Sequence, residues 1–277
     1  MTTAAVSIKV VSERMKRVFE DRSESAKIMN LFITAGFPRK EDTVDLILGY
    51  EKNGADIIEL GMPFSDPLAD GPTIQYSSEK SIEAGFVMDD IFEIVANVRK
   101  HSQIPIVLMG YINPVIHYGL EKFFARGQEA GIDGLILPDV PVEESGLIQQ
   151  ASQSHNIPLI YLVAPNSTDE RMKLVDERSG GFVYCVSVTG VTGARKGDEV
   201  DESVKRFIER INKNITNNPV LIGFGIASHI DAMRISEKAD GFVVGSALIN
   251  NIRSLEGDAD WKEKHFRFVR ELKYGSV

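Results

Sequence analysis

Asp56-Ile-Ile-Glu-Leu-Gly61, continued by Met-Pro-Phe-Ser-Asp-Pro-Leu-Ala-Asp-Gly-Pro72, is a β-branched apolar run that reaches a carboxylate and then breaks into a loop. Asp56-Ile-Ile58 is bounded by Gly54 and Gly61, so it reads as a strand with Glu59 at its end. Pro63, Pro67, Pro72, Gly61 and Gly71 forbid a helix across the loop. A carboxylate at the end of a buried strand resists ionisation unless it is solvated or paired. Glu59 is therefore either a tuned acid/base or a structural acid capped by backbone N–H groups, and residue type alone does not separate the two.

Outward from this stretch the same unit recurs. Ile28–Thr34 reads as a strand, and Thr43–Asn53 as a helix with Val44, Ile47 and Leu48 on one face. After Glu59 come a short inserted helix over about Thr73–Ala84 and a second carrying Val87, Ile91, Ile94, Val95 and Val98. Pro105–Met109 is a third strand, with helix through Ala130; Gly134–Pro138 is a fourth, with helix over about Val142–His155. Pro158–Val163 and Gly181–Val186 are the fifth and sixth, with a helix over about Thr168–Arg178 between them. The helix after the sixth carries Val200, Val204, Phe207, Ile208 and Ile211. Pro219–Ile222 and Asp240–Val244 complete the set, with a short helix over Ser228–Glu237 between them and helical sequence to the end. Val11, Met15, Val18 and Phe19 place an amphipathic helix in the N-terminal segment (residues 1–25), where it can cover the bottom of a barrel.

Strands that are continuous apolar runs, alternating with one-faced helices, are what a parallel sheet covered by helices requires. Eight units in roughly 250 residues predict a closed α/β (β/α)₈ TIM-type barrel, one domain over residues 1–277. The alternative is an open doubly wound sheet, but no Gly-x-Gly-x-x-Gly follows the first strand.

Composition narrows the partners. The 40 acidic residues outnumber the 31 Lys and Arg, leaving a formal charge of −9 with no basic block, which argues against nucleic-acid or anionic-membrane binding. Cys185 is the one cysteine, so an internal disulfide is excluded and a reducing, cytoplasmic setting is expected. It lies in Phe182-Val-Tyr-Cys-Val186 and reads as a buried strand residue.

In such barrels the reactive groups sit at the C-terminal strand ends. Those positions hold Phe32, Glu59, Tyr111, Asp139, Tyr184 and Phe224, with Asp66 and Asp70 in the second loop. An aromatic and acidic set suits a flat apolar substrate with one or two hydrogens to be moved. Glycines 190, 193, 223, 225 and 245, with Ser246, gather in the last three loops, where helix N-termini can hold a phosphate; each taken singly also fits a tight turn. Residues 187–198 form a long, small-residue-rich segment expected to be a mobile active-site loop. No lysine ends a strand, which argues against a Schiff base, and His101, His117, His155, His229 and His265 form no ligand pair, so no metal is expected. Acid/base catalysis by carboxylates remains.

Glu59–Gln75 closely resembles the signature of the tryptophan synthase α subunit family. Pro138–Ser145, Ser187–Gly193 and Gly223–Ile226 match its other segments in order, and the resemblance runs from about Phe19 to the end. It implies cleavage of indole-3-glycerol phosphate to indole and glyceraldehyde 3-phosphate, a retro-aldol reaction. By position, Glu59 and Asp70 match the catalytic carboxylates, and Phe32, Met109, Tyr111, Tyr184 and Phe224 the surroundings of the indole ring. Gly193, Gly225, Gly245 and Ser246 match the phosphate site, and Thr192 the loop threonine that meets the aspartate on closure. The resemblance further implies a β subunit in an α2β2 complex, facing Pro63, Asp66, Asn113 and Pro141, with pyridoxal phosphate held by that partner and no cofactor in this chain. Three other readings stay open: a free-standing lyase that releases indole, a barrel kept for binding or regulation, and another phosphate-handling barrel such as a phosphosugar isomerase.

Overall fold

The computed structural model describes residues 11–23, 26–186, 202–223 and 225–276. Its strands are β1 (Ile28–Thr34), β2 (Ile57–Gly61), β3 (Ile106–Met109), β4 (Gly134–Ile136), β5 (Leu162–Val163), β6 (Val183–Val186), β7 (Val220–Gly223) and β8 (Gly241–Val244). Around them run α1 (Glu13–Glu20), α2 (Asp42–Lys52), α3 (Pro72–Glu83), α4 (Met88–Arg99), α5 (Ile112–Tyr118), α6 (Leu120–Ala130), α7 (Gly146–Ser154), α8 (Asp169–Arg178), α9 (Glu202–Asn214), α10 (His229–Ile235), α11 (Ser246–Ser254) and α12 (Trp261–Tyr274).

All strand pairs are parallel, in the order β4-β3-β2-β1-β8-β7-β6-β5. The ring closes through one bridge, Leu135 to Leu159, where Leu135 N–H donates to the Pro158 carbonyl and Ile160 N–H to that of Leu135, each at 2.9 Å. The eight-stranded (β/α)₈ barrel expected from the repeat is thus the observed architecture.

Two apolar layers follow from strands buried on both faces. Met29, Leu31, Ile33, Ile58 and Leu60 face out and pack under the helices. Ile28, Ile57, Val107, Ile136, Ile160, Phe182, Leu221 and Val243 fill the interior. Met15 of α1 joins this inner cluster with no exposed surface, and Val18 and Phe19 pack beside it. The N-terminal helix therefore plugs the barrel floor, as its spacing predicts, although Val11 precedes the helix and is exposed.

Three local expectations are corrected. The helix expected to run from β3 through Ala130 is two helices, α5 and α6, parted by Gly119 at φ 96°, a conformation that favours glycine. The segment expected as a helix over Val142–His155 begins with a 3₁₀ turn, Val142–Glu144, before α7. The fifth strand, expected over Pro158–Val163, pairs as a strand only at Leu162–Val163, because on the β4 side its contact is the single bridge at Leu159. Of the apolar face expected on the helix after β6, Phe207, Ile208 and Ile211 are buried in α9, and Val200 lies outside the described residues.

The floor is fastened by Asp133, which is fully buried at the start of β4. It accepts from Arg14 Nε (2.8 Å), Arg99 (2.7 Å), Ile106 N–H (2.8 Å) and the Ser12 hydroxyl. Burial, against the attraction of Asp133, lowers the Arg99 guanidinium to about 10. Removing one member of such a set strands the others without compensation. Asp133→Ala is expected to lower stability by about 3–5 kcal/mol, read from the urea midpoint, while leaving the chemistry at the opposite face intact.

Among the described residues no helix is long and apolar enough to cross a membrane. Cys185 is fully buried and burial pushes its thiol up, as a strand residue's should be. His265 is buried between helices, hydrogen-bonded to the Tyr50 hydroxyl and to Asn251 Oδ1 at 2.7 Å each, and burial lowers it to about 4.

Candidate active site

Along β2 the side chains alternate, and Ile57 joins the interior cluster, so Glu59 also faces the barrel axis. It is 1% exposed. Three buried acids differ in their donors, and Glu59 lacks the set that holds a structural carboxylate. Asp176 accepts from the backbone N–H groups of Thr216 (2.8 Å) and Asn217 (2.9 Å) and from the amides of Asn217 and Asn218. Asp133 has two arginines and a backbone N–H. Glu59 accepts no backbone N–H among the described residues; its partner is the Asn30 amide, whose Nδ2 donates to Oε2 at 3.0 Å. Burial therefore pushes its carboxyl up to about 8, opposed by the Asn30 donor and assisted by the negative charge of Asp70. An acid so placed exchanges a proton near neutral pH.

Asp70 stands at the end of the β2 loop, half-buried. Burial raises its carboxyl and donation from the Tyr111 hydroxyl opposes the rise. That hydroxyl accepts from Ala69 N–H at 3.0 Å, its ring lies 5.5 Å from Phe64, and Gln75 Nε2 donates to the Asp70 carbonyl at 2.8 Å. The loop is thus tied at both ends, to the end of β3 and to α3. Burial, then the Asp70 charge, pushes the Tyr111 hydroxyl up to about 12.

The ring of Phe32 lies across Gly61, where a Cβ would come within 2.5 Å of its Cζ; only a residue without a side chain leaves that ring its place. Phe32, Asp70, Met109 and Tyr111 line one cleft, completed by Pro138 and Ile74. Tyr184, 8% exposed, shares the interior, and its hydroxyl is raised by burial and by the charges of Glu59 and Asp70. Gly245 lies beside Phe32 and precedes α11, so Ser246 opens a helix whose N–H groups face the same mouth. Gly225, at φ 61°, follows β7. Thr192, Gly193, Phe224 and the 187–198 segment lie outside the described residues.

Of the four residues expected at a partner surface, Pro63 and Asp66 lie in the loop after β2, Asn113 in the first turn of α5 after β3, and Pro141 in the loop after β4. Asp66 and Asn113 are exposed, while Pro63 and Pro141 are half-buried. Asp139 accepts from Ile112 N–H at 3.1 Å and so links the β4 loop to the start of α5. Sequence reasoning passed over Asn30; the signal available was one amide in the apolar run Ile28-Met-Asn-Leu-Phe-Ile33.

A family model described as tryptophan synthase alpha chain matches residues 19–276. The chain belongs to the tryptophan synthase α chain family. Its relatives include the α chain of Thermoanaerobacter sp. (strain X514), 44% identical over 261 residues, which cover 94% of this chain and 98% of that one. The α chain of Geotalea daltonii is 46% identical over 252 residues, 90% of this chain and 93% of the relative. Among solved structures, the Legionella pneumophila tryptophan synthase α chain superposes with a TM-score of 0.86 at 33% identity, covering 95% and 97% of the two chains. A chain of the Pyrococcus furiosus tryptophan synthase complex gives 0.79 at 35% identity, covering 88% and 97%. The matched span coincides with the stretch over which the motifs resemble the tryptophan synthase α chain family, and the chain is accordingly an enzyme subunit of tryptophan biosynthesis.

Proposed function

We propose that this chain is a carbon–carbon lyase, cleaving indole-3-glycerol phosphate to indole and glyceraldehyde 3-phosphate. The observation that carries the reading is Glu59: an inward-facing acid at the end of β2, raised to about 8 by burial, with Asp70 as a second acid at the same mouth. Protonated Glu59 delivers its proton to C3 of the indole, giving an indolenine cation. The resulting carboxylate takes the proton of the adjacent glycerol hydroxyl. The carbonyl forms as the C3–carbon bond breaks, and the bonding pair returns to the indole ring. Glu59 ends as it began, and protons and electrons balance. Asp70 accepts from the indole N–H, whose acidity grows as C3 is protonated, and so stabilises the charge that develops.

Phe32, Met109 and Tyr184 supply the flat apolar wall, with Tyr111 holding Asp70 in place. The start of α11 at Gly245 and Ser246, with Gly225, suits the phosphate. In this reading Thr192, Gly193 and Phe224 act from the loops after β6 and β7. The span of the family match supports one barrel domain over 1–277.

The P. furiosus relative is described as an α2β2 complex with mutual activation. We infer the same assembly here, a cytoplasmic one, through the face bearing Pro63, Asp66, Asn113 and Pro141. Indole then passes to the β subunit, which holds pyridoxal phosphate for condensation with serine. Indole release from indole-3-glycerol phosphate, with and without a β subunit, tests both parts. The expected result is slow turnover alone that rises strongly on addition of β subunit. Equal rates without co-migration would favour a free-standing lyase, and no indole under either condition would overturn the activity.

A further inference from the structure

We propose that Asn30 is a positioning residue that holds the Glu59 carboxyl through both of its protonation states. The proposal rests on the acid/base reading of Glu59 above. Asn30 faces the barrel interior from β1, in register with Ile57 of β2 and Val243 of β8, and has no exposed surface. Its Nδ2 donates to Glu59 Oε2 at 3.0 Å, whereas its Oδ1 is buried with no hydrogen-bond partner among the described residues. A half-satisfied buried amide is destabilising, and a leucine, branched at the same carbon, would occupy the position without an orphaned polar atom. The strand retains a costly group at the one place where it meets the titrating acid.

The chemistry of the amide accounts for the choice. It carries a donor at one end and an acceptor at the other, and a half-turn about its last torsion exchanges them. Toward the Glu59 carboxylate the Nδ2 group donates. Toward the carboxylic acid the turned amide accepts the acid proton on Oδ1, the atom now lacking a partner. Asn30 gains and loses no proton itself; it keeps the carboxyl plane fixed while the proton moves to C3 and returns from the hydroxyl. A lysine or arginine would hold only the carboxylate and depress its pKa. The other titratable groups that bear on Glu59 are Asp70 from the β2 loop and Tyr184 from β6, and neither is a donor to it among the described residues.

The sign of the pH effect is fixed. Catalysis begins from protonated Glu59, so kcat falls as pH rises through its pKa. Donation to the carboxylate is charge-assisted and stronger than the neutral bond between the acid and the turned amide, so removing Asn30 takes more from the carboxylate than from the acid, raises that pKa and moves the alkaline limb upward. Asn30→Leu is expected to lower kcat at neutral pH by about tenfold to a hundredfold through misplacement of the carboxyl. It should shift the alkaline limb up by roughly one unit, change KM little, and hold or raise Tm. Asn30→Asp, which sets a second acid against Glu59, should move the limb further in the same direction. A purely structural amide would lower Tm and leave the limb where it was. In the unsubstituted full chain, the Asn30 side-chain amide resonances should titrate with the midpoint of the alkaline limb, a measurement independent of how either variant folds. Unmoved limbs in both variants, or amide resonances insensitive to that titration, would overturn the proposal. Retention of activity by Glu59→Gln would instead remove the acid/base reading on which it rests, so the two failures are distinguishable.

Discussion

Glu59→Gln is expected to leave a folded barrel that forms indole at least about 10²–10⁴-fold more slowly, since the amide can neither give the proton to C3 nor take one from the hydroxyl. Single-turnover indole formation is the measurement, with circular dichroism as the control for folding; activity within about tenfold of the parent would contradict the role. Stability should change in the opposite sense. The folded chain keeps Glu59 protonated up to about 8, while the unfolded chain ionises it near the ordinary glutamate value of 4.5. Between those limits unfolding releases a proton, so the parent loses stability as pH rises through this window. Glutamine has no proton to lose. Relative to the parent, the Glu59→Gln chain should therefore gain stability steadily from acid to mildly alkaline pH, and its new side-chain carbonyl still accepts from the Asn30 amide.

Asp70→Asn is expected to lower kcat by about 10²–10³-fold, the usual effect of removing one electrostatic partner of a charge that develops in the transition state. Asparagine can still accept from the Tyr111 hydroxyl, so the tie of the loop to β3 survives and KM should move much less than kcat. An internal marker is available. The Asp70 charge is, after burial, the largest influence raising the Tyr111 hydroxyl. The variant should titrate that tyrosine at lower pH by ultraviolet difference spectroscopy. Loss of activity together with an unchanged tyrosine titration would mean that the two groups do not meet in solution, and would undo the assignment.

The barrel was legible because period and burial agree: runs such as Ile106–Met109 and Val220–Ile222 are apolar throughout, and helices such as α4 show one face, so parallel strands under helices were the consistent reading. Glu59 and Asp70 were legible as candidates because each is an acid where a strand or loop ends, a place that Asp139 and Asp66 share; the resemblance to the family is what singled them out. Pairing at the seam was not, since Leu159 and Leu162 look alike in sequence, and which of them joins a ladder depends on the reach of β4. The break at Gly119 was visible as a glycine but not as a turn, because glycine within a helix is tolerated. Asn30 escaped for a related reason: alternation tells which face a residue takes, yet only the register of β1 with β2 brings its amide to Glu59. What separates a tuned acid from a structural one is the count of donors around it, and donors come from elsewhere in the chain.

Met15 shares its cluster with Ile28 from the first strand and Val243 from the last. The helix that carries it leaves the ribosome before any strand, yet the socket it fills is complete only when the eighth strand has been made. Contacts spanning so much of the chain form late and slowly. During synthesis an apolar stripe must therefore wait in solvent while the rest of the barrel is assembled. The floor plug is made before the strands it rests on and is seated only after the last of them, which makes the interval between those two moments a period of exposure to misassembly and to chaperones.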